Sequence, residues 1–373
     1  MNPDESPGLY VHVPFCRSKC PYCDFYSVTR LAMVDAWLNG VRQEAGLYRG
    51  ALGCFDSLYV GGGTPTVLDD RQLTRLVTGL RDDLHVSDEA EITIEANPDD
   101  ITAEKVALLL DLGFNRISLG VQSLNDDDLR FLRRRHDARQ TMRTLEIVRR
   151  SEFRNMSVDL IYGIEGQSRS RWLGNIDQVL QFKPEHLSCY QMTIEKGTPF
   201  GAMRAEGRIR DLGEEEEADL FLITSETLEA RGYLHYEISN FARDVTCASR
   251  HNSKYWSHVP YLGLGPGAHS FHRNVRWWNV RSVEEYCRLL AGGESPRDGD
   301  EALSHEQLRL EELYLGLRTK DGVDMRLVAT DSNGSAVLKD LQDAGVVRVC
   351  GSRLLPTRKG FLMADGLPML LSG

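Results

Sequence analysis

The chain has 373 residues, of which 41% are hydrophobic and 27% are charged, and its formal net charge is −11. This composition is typical of a globular protein, and the lack of a dominant basic tract argues against a nucleic-acid binder. The first residues contain neither a basic segment nor an apolar run, and no apolar stretch is long enough to span a bilayer. We therefore expect a cytoplasmic protein without a signal peptide or a transmembrane segment.

Strands and helices alternate along the first half of the chain. The predicted strands cover residues 9–14, 56–60, 91–95, 116–121, 156–161 and 186–190, and the predicted helices cover 31–48, 69–84, 102–112, 138–151 and 168–180. Such alternation predicts right-handed parallel β/α units, and six units are fewer than the eight of a closed barrel. The predicted fold class is therefore α/β, a partial (β/α)6 TIM-type barrel with its site at the carboxyl ends of the strands.

The second half of the chain is less regular. Its predicted elements are a helix at 214–231, a strand at 233–238, a glycine-rich turn at 263–269, helices at 304–317 and 336–344, and a hairpin of 346–349 with 353–355. The segment 292–296 interrupts the pattern and indicates a domain boundary. We therefore predict a core with an extension at residues 1–300 and a small α+β, winged-helix-like C-terminal domain at 301–373.

Three of the eight cysteines, Cys16, Cys20 and Cys23, lie in a C-x3-C-x2-C pattern after the first predicted strand. The other five are scattered singly, which indicates a reducing compartment and not a disulfide framework. Thiolates are soft ligands for zinc or for an iron–sulfur cluster. Because zinc normally requires a fourth protein ligand, three thiolates favour a 4Fe–4S cluster with one open iron.

Other distinctive residues follow later strands. The run Gly61–Gly63 exposes backbone groups, as a phosphate loop or an ordinary turn does, but it lacks the lysine of a Walker loop. Glu95 ends a strand, where it is either a surface carboxylate or a ligand for a ribose hydroxyl or an ammonium group. Asp159 lies within an apolar strand, where an unpaired charge is costly, so we expect it to have a partner or a ligand. The arginines 133–135 are typical of a solvated helix face, but one of them could turn inward to hold a carboxylate.

Taken together, five motifs resemble those of the radical S-adenosylmethionine (SAM) superfamily and, within it, the oxygen-independent coproporphyrinogen III dehydrogenase family. The motifs are Tyr10–Cys16, Gly61–Thr66, Glu95–Pro98, Gly120–Ser123 and Asp159–Gly163. The resemblance implies that Cys16, Cys20 and Cys23 hold a 4Fe–4S cluster whose open iron binds SAM. It implies that this SAM contacts Tyr10, Gly62 and Glu95, and that a second SAM site is lined by Tyr22, Gly63, Thr64, Gln122, Arg134 and Asp159.

Two features depart from the dehydrogenase pattern. Phe25 stands where the dehydrogenases typically have a fourth cysteine, and the segment His251–Trp256 resembles the H-N-x-x-Y-W motif of the HemW-type heme chaperones. The second resemblance implies a protein that binds heme and transfers it to acceptor hemoproteins. If the cluster is reduced, the resemblance also implies an electron donor of the flavodoxin or ferredoxin type.

A heme-binding protein needs an iron ligand and a flat apolar surface. His251 is our candidate ligand, and Tyr255, Trp256, Trp277 and Trp278 are candidates to stack on the porphyrin. The histidines that compete with it are His12, His258, His269 and His272. The alternative interpretation of His251 is a hydrogen-bonded turn that holds the floor of the barrel.

Three other functions remain open at this point. The first, if the protein is an enzyme, is that of a coproporphyrinogen III dehydrogenase-like oxidoreductase, which decarboxylates propionate groups. A second possibility is a radical SAM methyltransferase or cyclopropanase. The third, an iron–sulfur regulator that binds DNA through its C-terminal domain, is disfavoured by the net negative charge.

Overall fold

The computed structural model describes residues 6–328 and 332–372. Six strands pair in parallel, each with its neighbours in the chain: β1 (Gly8–Val13), β2 (Phe55–Gly62), β3 (Val86–Ala96), β4 (Arg116–Gln122), β5 (Asn155–Tyr162) and β6 (His186–Gln191). The connecting helices are α1 (Val34–Leu47), α2 (Asp70–Asp83), α3 (Ala103–Asp111), α4 (Asp126–Phe131), α5 (Ala138–Arg150) and α6 (Arg169–Leu180). The predicted partial (β/α)6 barrel is confirmed.

The helices begin where a side chain accepts a hydrogen bond from the first turn. Asp69 and Gln72 form a reciprocal capping box at the start of α2. Thr102, the N-cap of α3, accepts from the backbone nitrogen of Lys105. These caps satisfy backbone groups that a helix end leaves unpaired, so short local motifs determine where each helix begins.

The alternation of side chains along the strands separates a core from a polar interior. One face of each strand packs against the helices, and on β3 and β4 this face is formed by Ile92, Ile94, Ile117 and Leu119. The opposite face of the same strands carries Thr93, Glu95, Arg116 and Ser118, which are register partners in pairs. Because register partners share a face of a sheet, polar and titratable groups collect inside the barrel.

The sheet continues beyond both ends of the barrel to twelve strands. The added strands are β7 (Leu234–Glu237) and β8 (Asn240–Ala242) beside β6, and β9 (Tyr261–Leu264), β10 (His269–His272), β11 (Val275–Asn279) and β12 (Arg297–Ala302) beside β1. β9 is parallel to β1, and β10 to β12 follow in antiparallel order. The helices of this region are α7 (Pro199–Ala205), α8 (Glu214–Ala230), α9 (Arg250–Trp256) and α10 (Val283–Ala291).

The glycine-rich segment forms the turn between β9 and β10, and a buried carboxylate holds it. Gly265 has φ +101°, and a Cβ atom there would lie 2.5 Å from the carbonyl oxygen of His12. Glu44 of α1 accepts hydrogen bonds from the backbone nitrogen of Gly265 (2.9 Å), from the Tyr286 hydroxyl (2.5 Å) and from Asn279 Nδ2 (2.6 Å). The first helix is thereby tied to the turn that follows β9.

The C-terminal part is a small unit with its own apolar cluster. It contains α11 (His305–Gly316), β13 (Val323–Asp324), α12 (Ser332–Asp343), β14 (Val347–Cys350), β15 (Arg353–Pro356), α13 (Arg358–Leu362) and α14 (Leu367–Leu371). Its antiparallel sheet has the order β13-β15-β14, which includes the predicted hairpin. The interruption at 292–296 lies between α10 and β12, and β12 still pairs with β11, so the large sheet reaches Ala302. Among the described residues, no helix is both long and apolar enough to cross a bilayer.

Candidate functional site

The three clustered cysteines lie on a loop between β1 and α1. The base of this loop is closed by two backbone hydrogen bonds, from Val28 N to the Pro14 oxygen (2.7 Å) and from Cys16 N to the Val28 oxygen (3.0 Å). Within it, the backbone nitrogen of Cys23 donates to the Cys20 oxygen (3.2 Å). All three thiols are free and partly exposed. The loop therefore presents three cysteines at the carboxyl end of the first barrel strand.

The thiols of the loop influence one another. Within residues 6–328 and 332–372, no three His, Cys, Asp or Glu side chains lie close enough to hold one metal ion. Burial raises the pKa of Cys23, and the charges of Cys20 and Cys16 raise it further, so the thiols share one electrostatic environment.

A chain of hydrogen bonds joins two of the cysteines. The Thr64 hydroxyl donates to Cys16 Sγ (3.5 Å) and accepts from Asn97 Nδ2 (3.2 Å). Asn97 Oδ1 accepts from Arg134 Nη2, and Arg134 Nη1 donates to Cys20 Sγ (3.4 Å). Hydrogen bonds to cysteine sulfur are one means by which a protein sets the potential of an iron–sulfur cluster. Thr64 and Arg134, from two different strand–helix units, therefore contact the predicted cluster ligands, and Asn97 from a third unit joins them.

Arg134 turns inward, whereas its neighbours Arg133 and Arg135 are exposed. Its guanidinium donates to the Tyr22 hydroxyl (3.3 Å) and to the Gly120 oxygen (2.9 Å). Arg134 thus joins the cysteine loop to the end of β4. Since the group is always charged, it also brings a positive charge to an enclosed part of the barrel mouth.

The predicted contacts of the first SAM molecule are held by two separate sets of hydrogen bonds. Glu95 accepts from Gly62 N through Oε2 (2.9 Å) and from the Tyr59 hydroxyl through Oε1 (2.8 Å). Tyr10 Oη lies 2.9 Å from His12 Nδ1. Burial raises the pKa of Glu95 to about 7, although the bond from Tyr59 opposes this effect. Near neutral pH, Glu95 can therefore accept from a hydroxyl or pair with an ammonium group.

The glycine run at the end of β2 is needed for close packing. Gly62 has φ +108°, and a Cβ atom there would lie 2.5 Å from the ring of His12. The backbone nitrogen of Gly63 donates to the Val13 oxygen (2.8 Å), which extends the pairing of β1 with β2. Any larger residue at Gly62 would collide with an imidazole that is held in place by Tyr10 and by the Tyr26 oxygen.

Gln122 and Asp159 lie on neighbouring strands at the same edge. Gln122 adopts φ +67°, a left-handed conformation that is uncommon for a residue other than glycine and that is often found at functional sites. Its Nε2 would lie 3.1 Å from a Cβ atom at Gly120, close to where Arg134 binds. Asp159 is half-buried and accepts from the Ser118 hydroxyl (3.1 and 3.2 Å), so the expected partner is present. Burial raises its pKa despite these bonds.

His251 lies at the opposite end of the barrel, on helix α9. Its Nδ1 is 3.1 Å from Ser57 Oγ, its Nε2 is 2.9 Å from the Tyr255 hydroxyl, and its backbone nitrogen donates to Glu91 (3.0 Å). Gly8, at the start of β1, packs against the same imidazole. Helix α9 therefore covers the amino ends of the first strands, and it matches the alternative of a hydrogen-bonded floor.

The environment of His251 keeps the imidazole neutral. Burial lowers its pKa to about 3, and the charges of Lys254 and Arg116 act in the same direction. Both ring nitrogens are engaged and the residue is 1% exposed, so neither nitrogen is available to heme iron in this conformation. Its role as an iron ligand stays a prediction.

Sequence reasoning missed Asn97, Tyr59 and Ser118 as members of the site. Asn97 had a detectable signal, since Pro98 restricts the preceding residue to extended backbone, and Asn97 indeed has φ −90° and ψ 142°. This conformation ends β3 and precedes a 3-10 helix at Pro98–Asp100. Tyr59 and Ser118 follow from strand alternation once the inward face is known, but the sequence alone does not identify their partners.

Comparison with known proteins identifies the family. Residues 10–179 match the radical SAM superfamily, and residues 303–363 match the HemN C-terminal domain. The heme chaperone HemW of Bacillus subtilis is 36% identical to this chain, over 96% of the chain and 97% of the relative. The chain belongs to the HemW family. A second HemW, from Mycobacterium tuberculosis, is 34% identical over 100% of this chain and 96% of its own length.

The HemW family lies within the radical SAM superfamily, which implies a 4Fe–4S cluster and SAM. Among solved structures, coproporphyrinogen III oxidase (HemN) from Escherichia coli, a radical SAM enzyme, superposes with a TM-score of 0.85 at 25% identity, covering 99% of this chain and 91% of the other. The donor set fits the implied group, because three free thiols with hydrogen-bond donors stand at the mouth of the barrel. Cys16, Cys20 and Cys23 would hold the cluster.

Proposed function

We propose that this protein binds heme and a SAM-liganded 4Fe–4S cluster and that it transfers heme to acceptor hemoproteins. The observation that carries the proposal is the likeness to heme chaperones over nearly the whole chain, including the C-terminal unit. Phe25, at the position of the fourth cysteine of the dehydrogenases, supports the same function because it cannot ligate iron.

The residues at the barrel mouth have distinct roles in this proposal. The cluster, when bound, supplies one-electron chemistry at SAM. Tyr10, Gly62 and Glu95 orient the SAM at the open iron, with the Glu95 carboxylate held by Tyr59. Arg134 and Thr64 donate to the cluster cysteines. Because desolvation raises the pKa of the half-buried Glu95 to about 7, a hydrogen-bonding or cationic ligand would stabilise its carboxylate.

A second group of residues is proposed to line a second SAM site. These residues come from the cysteine loop, from the ends of β2, β4 and β5, and from the segment after α4. They are Tyr22, Gly63, Thr64, Gln122, Arg134 and Asp159. Arg134 suits the carboxylate of a methionine group through its positive charge, and its Nε has no hydrogen-bond partner within the described residues. Asp159 suits a hydroxyl or an ammonium group.

The second candidate function is oxidative decarboxylation of coproporphyrinogen III. The superposition on HemN favours it, since the two chains share a fold over almost their whole length. The cluster and the SAM contacts do not distinguish the two functions. The fate of the bound tetrapyrrole distinguishes the two functions, because a chaperone binds heme without changing it.

The test uses anaerobically reconstituted protein with three measurements. The first is a hemin titration followed by the Soret band, the second is transfer of the bound heme to an apo-hemoprotein, and the third is an assay with coproporphyrinogen III, SAM and a reductant. We expect heme binding and transfer without decarboxylation. Turnover of coproporphyrinogen III would refute the chaperone function in favour of the dehydrogenase.

The proposed partners follow from the same function. They are heme, acceptor apo-hemoproteins and, if the cluster is reduced, an electron donor of the flavodoxin or ferredoxin type, in the cytoplasm. The net charge of −11 supports a protein without a nucleic-acid partner.

A further inference from the structure

Heme iron needs a neutral imidazole nitrogen that is free of other bonds and that a porphyrin can reach. His251 and His12 each have both ring nitrogens in hydrogen bonds and are buried. His258 uses Nε2 to contact Glu311 (3.2 Å), and its side chain is only 9% exposed. These three candidates therefore fail on availability in this conformation, and the remaining histidines named above lie on β10.

His269, the first residue of β10, meets the requirement. It is exposed, and within the described ranges its ring makes no hydrogen bond. His272, three residues later, points to the opposite face of the strand and buries Nδ1. Burial lowers the pKa of His269, and the charges of Arg276 and Arg281 lower it further, so the imidazole is neutral at neutral pH.

Trp278 lies beside the imidazole of His269. It is the direct register partner of His269 across β10 and β11, with ring centroids 6.0 Å apart and planes inclined by 31°. The indole lies against the bare backbone of Gly299, where a Cβ atom would come within 2.6 Å of the ring. The indole is tilted from the imidazole and flanks it on β11, so it would offer an aromatic surface beside a ligand of His269.

A cation next to this pair is available for a carboxylate. Arg276 is already engaged by Glu301 (2.8 Å) and by Glu311 (2.9 Å). Arg281 is exposed and spends one nitrogen on the Asp24 oxygen of the cysteine loop (3.1 Å). A guanidinium with free N–H groups matches a propionate carboxylate. Phe25, directly after Asp24, is 70% exposed and places an apolar ring at the same edge of the loop.

We propose that heme binds at the surface formed by His269, Trp278 and Arg281, with His269 as the axial ligand and Arg281 paired with a propionate. The proposal rests on the proposed heme-binding function, and it assigns the ligand to β10 and not to the floor helix α9. The site lies on the antiparallel extension of the sheet, beside the loop that carries the cluster cysteines.

The test is a pair of titrations on cluster-loaded protein, one with hemin and one with metal-free protoporphyrin IX. In His269→Ala, we expect the hemin Kd to rise at least tenfold while the Kd for metal-free protoporphyrin changes less than threefold. Added imidazole should restore the Soret position of the wild type in this variant. His305→Ala is the matched control, since His305 is also exposed and has no aromatic ring contact in the described part of the chain.

The outcomes separate this site from the function on which it rests. If wild-type protein does not bind hemin, both the proposed heme-binding function and the His269 site are refuted. If wild-type protein binds hemin and His269→Ala binds it equally well, only the His269 site is overturned. Loss of hemin binding in His251→Ala, with His269→Ala unaffected and both variants folded by circular dichroism, would place the ligand on α9. A rise in Kd of at least threefold in Arg281→Gln, for both porphyrins, supports the propionate contact, and an unchanged Kd contradicts it.

Discussion

Arg134 and Asn97 are joined by a hydrogen bond between Nη2 and Oδ1, and this bond determines which way the amide faces. Arginine can only donate, so the oxygen of Asn97 must face Arg134 and its nitrogen must face Thr64. The Thr64 hydroxyl therefore accepts from Asn97 and is left with its single proton for Cys16. One amide thus directs a hydrogen bond onto Cys16, a proposed cluster ligand that the amide does not touch.

Replacement of this amide by a carboxylate should lower the cluster potential. In Asn97→Asp, the bond from Arg134 is retained, but Thr64 now donates to the carboxylate and Cys16 loses its donor. A hydrogen bond worth about 1 kcal/mol corresponds to about 40 mV for a one-electron couple, and its loss destabilises the reduced cluster. Anaerobic potentiometric titration should give a midpoint more negative by about this amount.

The control for this prediction is Thr64→Val, which removes the same donor directly. It should shift the potential in the same direction, and adding Asn97→Asp to it should have a much smaller effect than in the wild type. Equal effects of Asn97→Asp in both backgrounds would show that Thr64 does not transmit the change.

The cysteine loop yields a prediction of cofactor content. Serine in place of Cys16, Cys20 or Cys23 should abolish the visible absorbance and most of the iron of reconstituted protein, since serine is a poor ligand for these clusters. Cys350→Ser is the matched control, because Cys350 is exposed and lies on β14 of the C-terminal unit. Unchanged iron content in a loop variant would contradict the assigned ligands.

His251 should matter for stability. His251→Ala removes the bonds to Ser57 and Tyr255 and leaves a cavity against Gly8, so we expect the free energy of unfolding to fall by about 3 kcal/mol. Urea denaturation followed by circular dichroism measures this loss. His85→Ala, at an exposed position, should leave the midpoint unchanged. A variant as stable as wild type would show that α9 does not depend on this imidazole.

Glu44 should make stability depend on pH. Burial raises its pKa in the folded protein to about 7 from the ordinary 4.5, so the folded protein keeps the proton to higher pH than the unfolded chain. As pH rises from about 4.5 to 7, the free energy of unfolding therefore falls, by about 1.4 kcal/mol per unit at most and about 3 kcal/mol in total.

The measurement is urea denaturation at several pH values between 5 and 8, in wild type and in Glu44→Gln. The variant cannot titrate at this position, so its stability should decline less steeply across the range. Glu152→Gln, at an exposed position, should reproduce the slope of the wild type. Identical slopes for all three proteins would mean that Glu44 does not hold a proton at neutral pH.

The barrel could be predicted from sequence because each unit carries its own local signals. An apolar strand, a polar turn and a capped helix repeat in order, and neighbouring strands are consecutive in the chain. β9 lacks these signals. It has four residues, and its partner β1 lies at the far end of the chain, so its place in the sheet depends on contacts that no local pattern reports.

In the candidate site, too, some features follow from local sequence and others depend on contacts between distant segments. Cysteine spacing predicts a ligand loop, and motif positions place Glu95, Gln122 and Asp159 at one edge. The role of Asn97 depends on the distance between side chains from β2 and from the segment after α4, which a sequence does not contain. His251 shows the converse limit, since a short motif names the residue but does not tell whether its nitrogens face a ligand or a neighbouring strand.

Arg281 contacts the main chain of the cysteine loop at Asp24. If its guanidinium also receives a propionate of the cargo, assembly of the metal centre and loading of the porphyrin become linked equilibria. By reciprocity, each then alters the affinity of the other by the same factor. The heme affinity of such a carrier would then depend on whether its iron–sulfur cluster is assembled, and the stability of the cluster would depend on whether heme is bound.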